Sequence, residues 1–136
     1  MKQKRILVVD DDPSVLKYIC KVAESMSYDV LKAEDGLEAM LAFSNDPAID
    51  ALVTDVKMPG VNGFQLAQAL RSKNPGLPIL FISGYFEETE VPAELLRVPE
   101  TFLLSKPFVR NELGAALLLL LISKTPFEDE LPKSNQ

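Results

Sequence analysis

Near its amino terminus the chain reads Ile6-Leu7-Val8-Val9-Asp10-Asp11-Asp12-Pro13, and this stretch decides the fold. Its four apolar residues, three of them β-branched, are typical of a strand that is buried on both faces of a sheet. Asp12 and Pro13 are favoured residues for the N-cap and the first turn of a helix. Apolar residues then recur at helical spacing from Val15 to Met26. The stretch therefore predicts a buried strand, an acidic turn and an amphipathic helix.

The same cycle of a short apolar run followed by a helical segment occurs five times along the chain. The predicted strands cover residues 6–9, 28–33, 50–55, 77–82 and 102–104. The predicted helices begin near residues 13, 36, 64, 93 and 108. The fourth helix is expected to be short, within residues 93–98, because Pro92 and Pro99 lie on either side of it. The fifth is expected to run from 108 to 123.

Alternating strands and helices with short connections predict an α/β fold with a parallel sheet and helices on both faces. Five strands favour the doubly wound, flavodoxin-like order 2-1-3-4-5, in which ligands bind outside the carboxyl ends of strands 1 and 3. We expect a single domain over residues 1–123. Residues 124–136 contain two prolines and an acidic patch, so we expect a mobile tail there.

Composition excludes several classes of function. The chain has no His and one Cys, Cys20, so it contains neither a Ser-His-Asp site nor an internal disulfide, and a structural zinc site lacks ligands. A net charge of −6 argues against direct nucleic-acid binding, which requires basic residues. The basic amino terminus has too few apolar residues for a signal peptide. The longest apolar run, Leu113 to Ile122, is too short for membrane insertion. We expect a soluble, cytoplasmic protein.

Polar residues with complementary chemistry follow four of the predicted strands. Asp10 and Asp11 follow strand 1 and Asp55 ends strand 3, so three carboxylates meet between neighbouring strands. Carboxylates this close repel one another, and a hard cation such as Mg²⁺ relieves that repulsion. Ser83 follows strand 4 and Lys106 follows strand 5. Acids, a metal ion, a hydroxyl and a lysine together indicate a phosphoryl-transfer site.

Four motifs at these strand ends resemble one protein family. They are Val8-Val9-Asp10-Asp11, then Asp55 with Met58-Pro59-Gly60 and Gly63, then Ile82-Ser83-Gly84, and finally Lys106-Pro107-Phe108. Each motif alone is weak, but the four in this order resemble the receiver domain of two-component response regulators. The resemblance extends from about Arg5 to Ser123, nearly the whole predicted domain.

The resemblance implies a role for each carboxylate. Asp55 corresponds to the phosphoacceptor, which takes a phosphoryl group from a histidine kinase or a histidine phosphotransfer protein. Asp10 and Asp11 correspond to the acidic pair that holds Mg²⁺, with Asp55 and the backbone carbonyl of Lys57 completing the protein ligands. Such a domain is a phosphorelay switch rather than an enzyme, with at most Mg²⁺-dependent self-phosphorylation and autodephosphorylation.

The resemblance also assigns the phosphate contacts. Ser83 corresponds to the hydroxyl that bonds to the acyl phosphate, and Lys106 to the cation that pairs with it. The Lys106–Pro107 peptide is cis in this family. One position departs from the family pattern, because Leu103 stands where receivers usually carry an aromatic residue, three positions before the lysine. Phe102 lies one residue earlier, on the opposite face of a regular strand.

The fifth helix suggests a partner. Residues 113–122 leave it almost no polar face, and a helix that is apolar all round is normally buried. We therefore predict that this helix forms a protein–protein surface, for a homodimer or a docked kinase domain.

Two other functions use the same residues. Asp10-x-Asp12-x-Ser14 resembles the nucleophile motif of haloacid-dehalogenase-type phosphatases, although the chain lacks that family's acidic motif after its lysine. A docking or scaffold protein independent of phosphorylation would keep the fold and the apolar fifth helix without using Asp55. The complete set of acids, hydroxyl and lysine favours the phosphoacceptor over both.

Overall fold

The computed structural model describes residues 3–46, 48–84 and 90–122, which contain five strands and five helices. The tail predicted over residues 124–136 lies outside this part of the chain. In chain order the elements are β1 (Arg5–Val9), α1 (Pro13–Ser25), β2 (Asp29–Ala33), α2 (Gly36–Asn45), β3 (Ala51–Asp55), α3 (Gly63–Lys73), β4 (Ile79–Ser83), α4 (Ala93–Leu96), β5 (Thr101–Ser105) and α5 (Arg110–Ile122).

The strands form one parallel sheet in the order β2-β1-β3-β4-β5, which confirms the predicted topology. Side chains alternate between the two faces of each strand, and each face has its own hydrophobic cluster. Leu7 lies in the cluster that includes Leu95 of α4, together with residues of α2 and α3. Its neighbour Val8 lies in the other cluster, with Leu117 of α5 and residues of α1. The helices therefore cover both faces of the sheet.

The helices begin where the sequence supplies capping residues. The side chains of Asp12 and Asp35 accept hydrogen bonds from backbone N–H groups in the first turns of α1 and α2. Asn62 and Gln65 form a reciprocal capping box at the start of α3. Because each of these helices follows a strand of the parallel sheet, their three N-termini lie at the edge where the strands end.

Two helix boundaries differ from the predictions. α5 begins at Arg110 rather than at residue 108, and Val109 directly precedes the helix. The Val109 N–H donates to the Glu112 side chain at 2.9 Å, and the Val109 carbonyl accepts from the Glu112 N–H at 3.0 Å. The short fourth helix is confirmed, and it ends at Leu96, two residues before the predicted limit.

A buried arginine joins α3 to the short α4 segment. The Arg71 side chain is 7% exposed and donates three hydrogen bonds to backbone carbonyls. Its Nε bonds to Leu77 at 3.0 Å, one terminal nitrogen to Leu95 at 3.0 Å and the other to Glu100 at 3.1 Å. Burial lowers the pKa of this guanidinium, and the nearby Glu100 partly offsets that shift. Arg71 thus satisfies carbonyls from three separate segments.

The fifth helix has two apolar faces. Leu113, Leu117, Leu120 and Leu121 are buried against the sheet. The opposite face leaves three large apolar side chains about half exposed: Leu118 at 51%, Leu119 at 53% and Ile122 at 49%. None of the helices in the described residues is long and apolar enough to cross a bilayer.

Candidate functional site

Three carboxylates meet at the carboxyl edge of the sheet, as the strand order predicts. Asp10 follows β1, Asp55 ends β3, and these strands are neighbours. One oxygen from each of Asp10, Asp11 and Asp55 lies within 4.8 Å of the others. Asp10 is fully buried and Asp55 is 6% exposed, whereas Asp11 is exposed. The cluster is therefore built from two buried acids and one at the surface.

The ends of β4 and β5 contribute the hydroxyl and the cation. Ser83 is fully buried at the end of β4, where its carbonyl accepts the Lys106 N–H at 2.8 Å. The Lys106 ammonium lies 3.2 Å from Asp55 Oδ1. The Lys106–Pro107 peptide is cis, as the resemblance implies. The structure thus brings together Asp10, Asp11, Asp55 and Lys106, with Ser83 ending the neighbouring strand.

Burial changes the acidity of both inner carboxylates. It raises the pKa of Asp10 to about 6, the Asp12 N–H partly offsets this, and the Asp55 charge adds to it. Burial also raises the pKa of Asp55, and the ammonium of Lys106 opposes that shift. The site is therefore short of positive charge, and a bound cation would stabilise both ionised acids.

The donor set fits a magnesium ion. Asp10 Oδ1 accepts the Asp12 N–H at 2.9 Å, whereas Asp10 Oδ2 is buried with no hydrogen-bond partner among the described residues. A buried carboxylate oxygen without a partner is costly unless a ligand contacts it. Clustered carboxylate oxygens are the ligands that hard divalent cations prefer. Asp10, Asp11 and Asp55 are therefore the residues that would hold the metal.

The raised pKa of Asp10 leads to a prediction about stability without metal. Because the folded pKa is about 6 and the ordinary value is 3.8, the folded chain binds more protons between these values. The free energy of unfolding should therefore fall as pH rises through this window. In EDTA at pH 7, Asp10→Asn should raise the free energy of unfolding by about 2 kcal/mol, and this gain should shrink toward pH 4. Urea unfolding at both pH values measures this difference.

The exposed neighbour Asp11 provides the matched control for that prediction. Asp11→Asn removes a charge from the same cluster without relieving a buried one, so it should change the free energy of unfolding by less than about 1 kcal/mol. Equal stability of wild type and Asp10→Asn at pH 7 would show that the burial of Asp10 costs nothing.

Gly63 allows α3 to begin against the end of β3. A Cβ built on Gly63 would lie 2.3 Å from the Asp55 carbonyl oxygen and 2.9 Å from the Val56 Cα. Both contacts are with backbone, which cannot rotate away as a side chain can. The Gly63 N–H also donates to the Val56 carbonyl at 2.8 Å. The backbone beside the Asp55 carboxylate therefore requires a glycine at position 63.

Gly63→Ala should consequently destabilise the fold. Relieving the overlap requires backbone movement, so we expect a loss of about 2–3 kcal/mol in the free energy of unfolding by urea. Gly114→Ala in α5 is the matched control, since its nearest contact would be Met26 Sδ at 4.0 Å. There alanine should stabilise the helix by about 0.5–1 kcal/mol. A neutral Gly63→Ala variant would contradict the close-approach argument.

Two further predicted positions lie at the surface. Lys57 is exposed two residues after Asp55. The assignment of its backbone carbonyl as a metal ligand stays a prediction. Leu103 is 41% exposed, while Phe102 packs into the α1 and α5 cluster on the opposite face of β5. The predicted opposition of these two side chains is confirmed.

One buried polar residue beside the site was missed from the sequence. Thr54 is fully buried in β3, and its hydroxyl donates to the Asp55 carbonyl at 2.9 Å. A threonine inside an otherwise apolar strand run, directly before the candidate phosphoacceptor, was the available signal. The function of the Gly63 position was also missed, because the Asp55 carbonyl approaches it only in the folded chain.

The fold is a flavodoxin-like α/β domain with a cluster of three carboxylates and a lysine at the carboxyl edge of its sheet. Residues 6–118 match the family model described as the response regulator receiver domain. The chain therefore belongs to the receiver domain family of two-component response regulators.

Similar proteins agree with this assignment. Response regulator MprA of Mycobacterium avium is 38% identical over 125 residues, covering 92% of this chain and 54% of that protein. The chain thus spans about half the length of the curated relatives it matches. Chemotaxis response regulator CheY4 of Vibrio cholerae has 31% sequence identity to this chain. Its high-resolution structure superposes with a TM-score of 0.75, and the match covers 88% of this chain and 100% of that one. A receiver domain protein from Clostridium thermocellum, 24% identical, shares the fold with a TM-score of 0.78 over 88% of this chain and 95% of that one.

Proposed function

We propose that this receiver domain accepts a phosphoryl group on Asp55 from a histidine kinase or a histidine phosphotransfer protein, in a reaction that requires Mg²⁺. One observation carries the proposal: the nearly buried Asp55 carboxylate lies beside two acids suited to a cation and 3.2 Å from the Lys106 ammonium. Family membership supports it, because response regulators are the partners of histidine kinases.

The chemistry follows from positions at the sheet edge. A carboxylate oxygen of Asp55 attacks the phosphorus of a phosphohistidine, the P–O bond forms, and the P–N bond breaks. The imidazole nitrogen keeps the electron pair and takes a proton from solvent. Mg²⁺, when bound, supplies charge neutralisation for the transferring group. The Lys106 ammonium, 3.2 Å from Asp55 Oδ1, would pair with one phosphoryl oxygen, and Ser83 would donate a hydrogen bond to another.

The same contacts provide a switch. An acyl phosphate adds about −1.5 to −2 charge to the crevice. Bonds from Ser83 and Lys106 to the phosphoryl group would pull the carboxyl ends of β4 and β5 toward Asp55. This shifts a pre-existing equilibrium between inactive and active conformations, which changes the binding of partner proteins.

Intact mass spectrometry tests the proposal. The protein is incubated with acetyl phosphate and Mg²⁺, with and without EDTA. We expect one added phosphoryl group with Mg²⁺ and none with EDTA. Borohydride reduction and peptide mapping then identify the modified carboxylate. The absence of an adduct under every condition would overturn the proposal and favour docking independent of phosphorylation.

The phosphatase alternative has little structural support. It would use Asp10 as its nucleophile and would need a further acidic motif after Lys106, which the sequence lacks. The family match also lies with receiver domains.

We also propose that the exposed face of α5, formed by Leu118, Leu119 and Ile122, contacts a protein partner. The support is its three half-exposed apolar side chains on one helix. Self-association is the simplest form, and light scattering at tens of micromolar tests it. A strict monomer would count against a homodimer and leave docking to a kinase domain.

A cytoplasmic location and the absence of direct nucleic-acid binding stay predictions.

A further inference from the structure

Three hydrogen bonds fix the backbone just after the Asp55 side chain. The Val56 N–H donates to the Ile82 carbonyl of β4 at 3.1 Å. The Gly63 N–H donates to the Val56 carbonyl at 2.8 Å. The Thr54 hydroxyl donates to the Asp55 carbonyl at 2.9 Å. The peptide group between Asp55 and Val56 is therefore bonded at both its N–H and its carbonyl.

The Thr54 hydroxyl is not explained by packing. In the sheet, Thr54 stands between Val9 of β1 and Phe81 of β4, both nearly or fully buried. Thr54 itself is fully buried. Valine has the same shape and fits a buried strand well, whereas a buried hydroxyl is costly unless it is hydrogen-bonded. The bond to the Asp55 carbonyl compensates that cost and gives the hydroxyl a specific role.

We propose that Thr54 is a positioning residue for phosphoryl acceptance. Its hydroxyl sets the orientation of the peptide that follows Asp55, and thereby the direction of the Asp55 carboxylate and of the chain leading to Lys57. Small displacements of a reacting group have large effects on rate, because in-line attack needs the right geometry. This inference rests on the proposed phosphoacceptor role of Asp55.

A pair of substitutions at position 54 separates the hydrogen bond from packing. Thr54→Val keeps the shape and removes the hydroxyl, whereas Thr54→Ser keeps the hydroxyl and removes a methyl group. A defect caused by the lost bond appears in the Val variant and is rescued in Ser. A defect caused by packing appears in Ser and is absent from Val.

Two readouts are measured for each variant: the rate of adduct formation with acetyl phosphate, and the Mg²⁺ affinity by titration calorimetry without any phosphodonor. For Thr54→Val we expect the rate to fall about tenfold and the Mg²⁺ affinity to weaken severalfold. Thr54→Ser should stay within about twofold of wild type in both. Urea unfolding establishes that each variant folds, and Thr54→Ala replaces the Val variant if that one does not.

The possible results separate a failure of the Thr54 inference from a failure of the proposed function. Wild-type rate and Mg²⁺ affinity in Thr54→Val would overturn the inference, as would equal losses in the Val and Ser variants. A wild-type protein that forms no adduct would instead overturn the proposed function, so the two failures are distinguishable.

Discussion

Replacing Asp55 by Asn is expected to abolish the Mg²⁺-dependent phosphoryl adduct completely. The amide has nearly the same shape as the carboxylate but lacks the anionic oxygen that attacks phosphorus. The fold should persist, because burial already raises the pKa of Asp55 and disfavours its charge. Intact mass after incubation with acetyl phosphate and Mg²⁺ measures the adduct, and urea unfolding establishes that the variant is folded.

Asp50 provides the matched control for this variant. It directly precedes β3, which Asp55 ends, and its carboxylate accepts the Arg5 N–H at 2.8 Å. Asp50→Asn should label like wild type, since it lies at the opposite edge of the sheet. An adduct that persists in Asp55→Asn would move the phosphoacceptor to another carboxylate of the cluster, with Asp11 the first to examine because it is exposed.

Replacing Arg71 by Leu is expected to cause the largest loss of stability among the changes considered. Three backbone carbonyls would lose the guanidinium as a donor, although that of Leu95 keeps the Thr101 hydroxyl at 2.8 Å and that of Glu100 keeps the Ile79 N–H at 2.9 Å. Hydrogen bonds from a charged donor are worth about 1.5–3 kcal/mol each, and relief of the buried charge offsets part of their loss. The net decrease should be about 3 kcal/mol in the free energy of unfolding by urea.

Arg97 is the matched control, because it carries the same side chain directly after α4 and is exposed. Arg97→Leu should change the free energy of unfolding by less than about 0.5 kcal/mol. Arg71→Lys should be intermediate, since an ammonium cannot reproduce the planar geometry of the guanidinium. If Arg71→Leu were as stable as wild type, the cost of burying the charge would cancel the three hydrogen bonds.

These two variants separate the chemistry from the framework. Asp55→Asn should remove the adduct and keep the fold. Arg71→Leu should lower the stability of the fold without changing the site residues Asp10, Asp55 and Lys106. If the Arg71→Leu protein is still phosphorylated at low temperature, the site depends on the sheet edge and not on the contact between α3 and α4.

Much of the architecture was predictable because its signals are local. The apolar run 6–9 and the Asp12-Pro13 pair indicated β1 and the start of α1 from neighbouring residues alone. Strand order followed from general rules for alternating strands and helices, and those rules place Asp10 and Asp55 at one edge. The start of α5 was two residues in error, because the Glu112 side chain caps the N–H of Val109 and this depends on side-chain geometry.

The sequence by itself determined which chemical groups meet: acids after β1 and at the end of β3, a hydroxyl at the end of β4 and a lysine after β5. Only the tertiary structure decided how each group behaves there. Asp10 and Asp11 are adjacent in sequence, yet one is fully buried with a raised pKa and the other is exposed. Burial, like the approach of Gly63 to the Asp55 carbonyl, arises from segments distant in the chain. Local residue preferences do not depend on contacts between distant segments. The burial of Asp10 and the close approach at Gly63 could therefore be seen only in the folded structure.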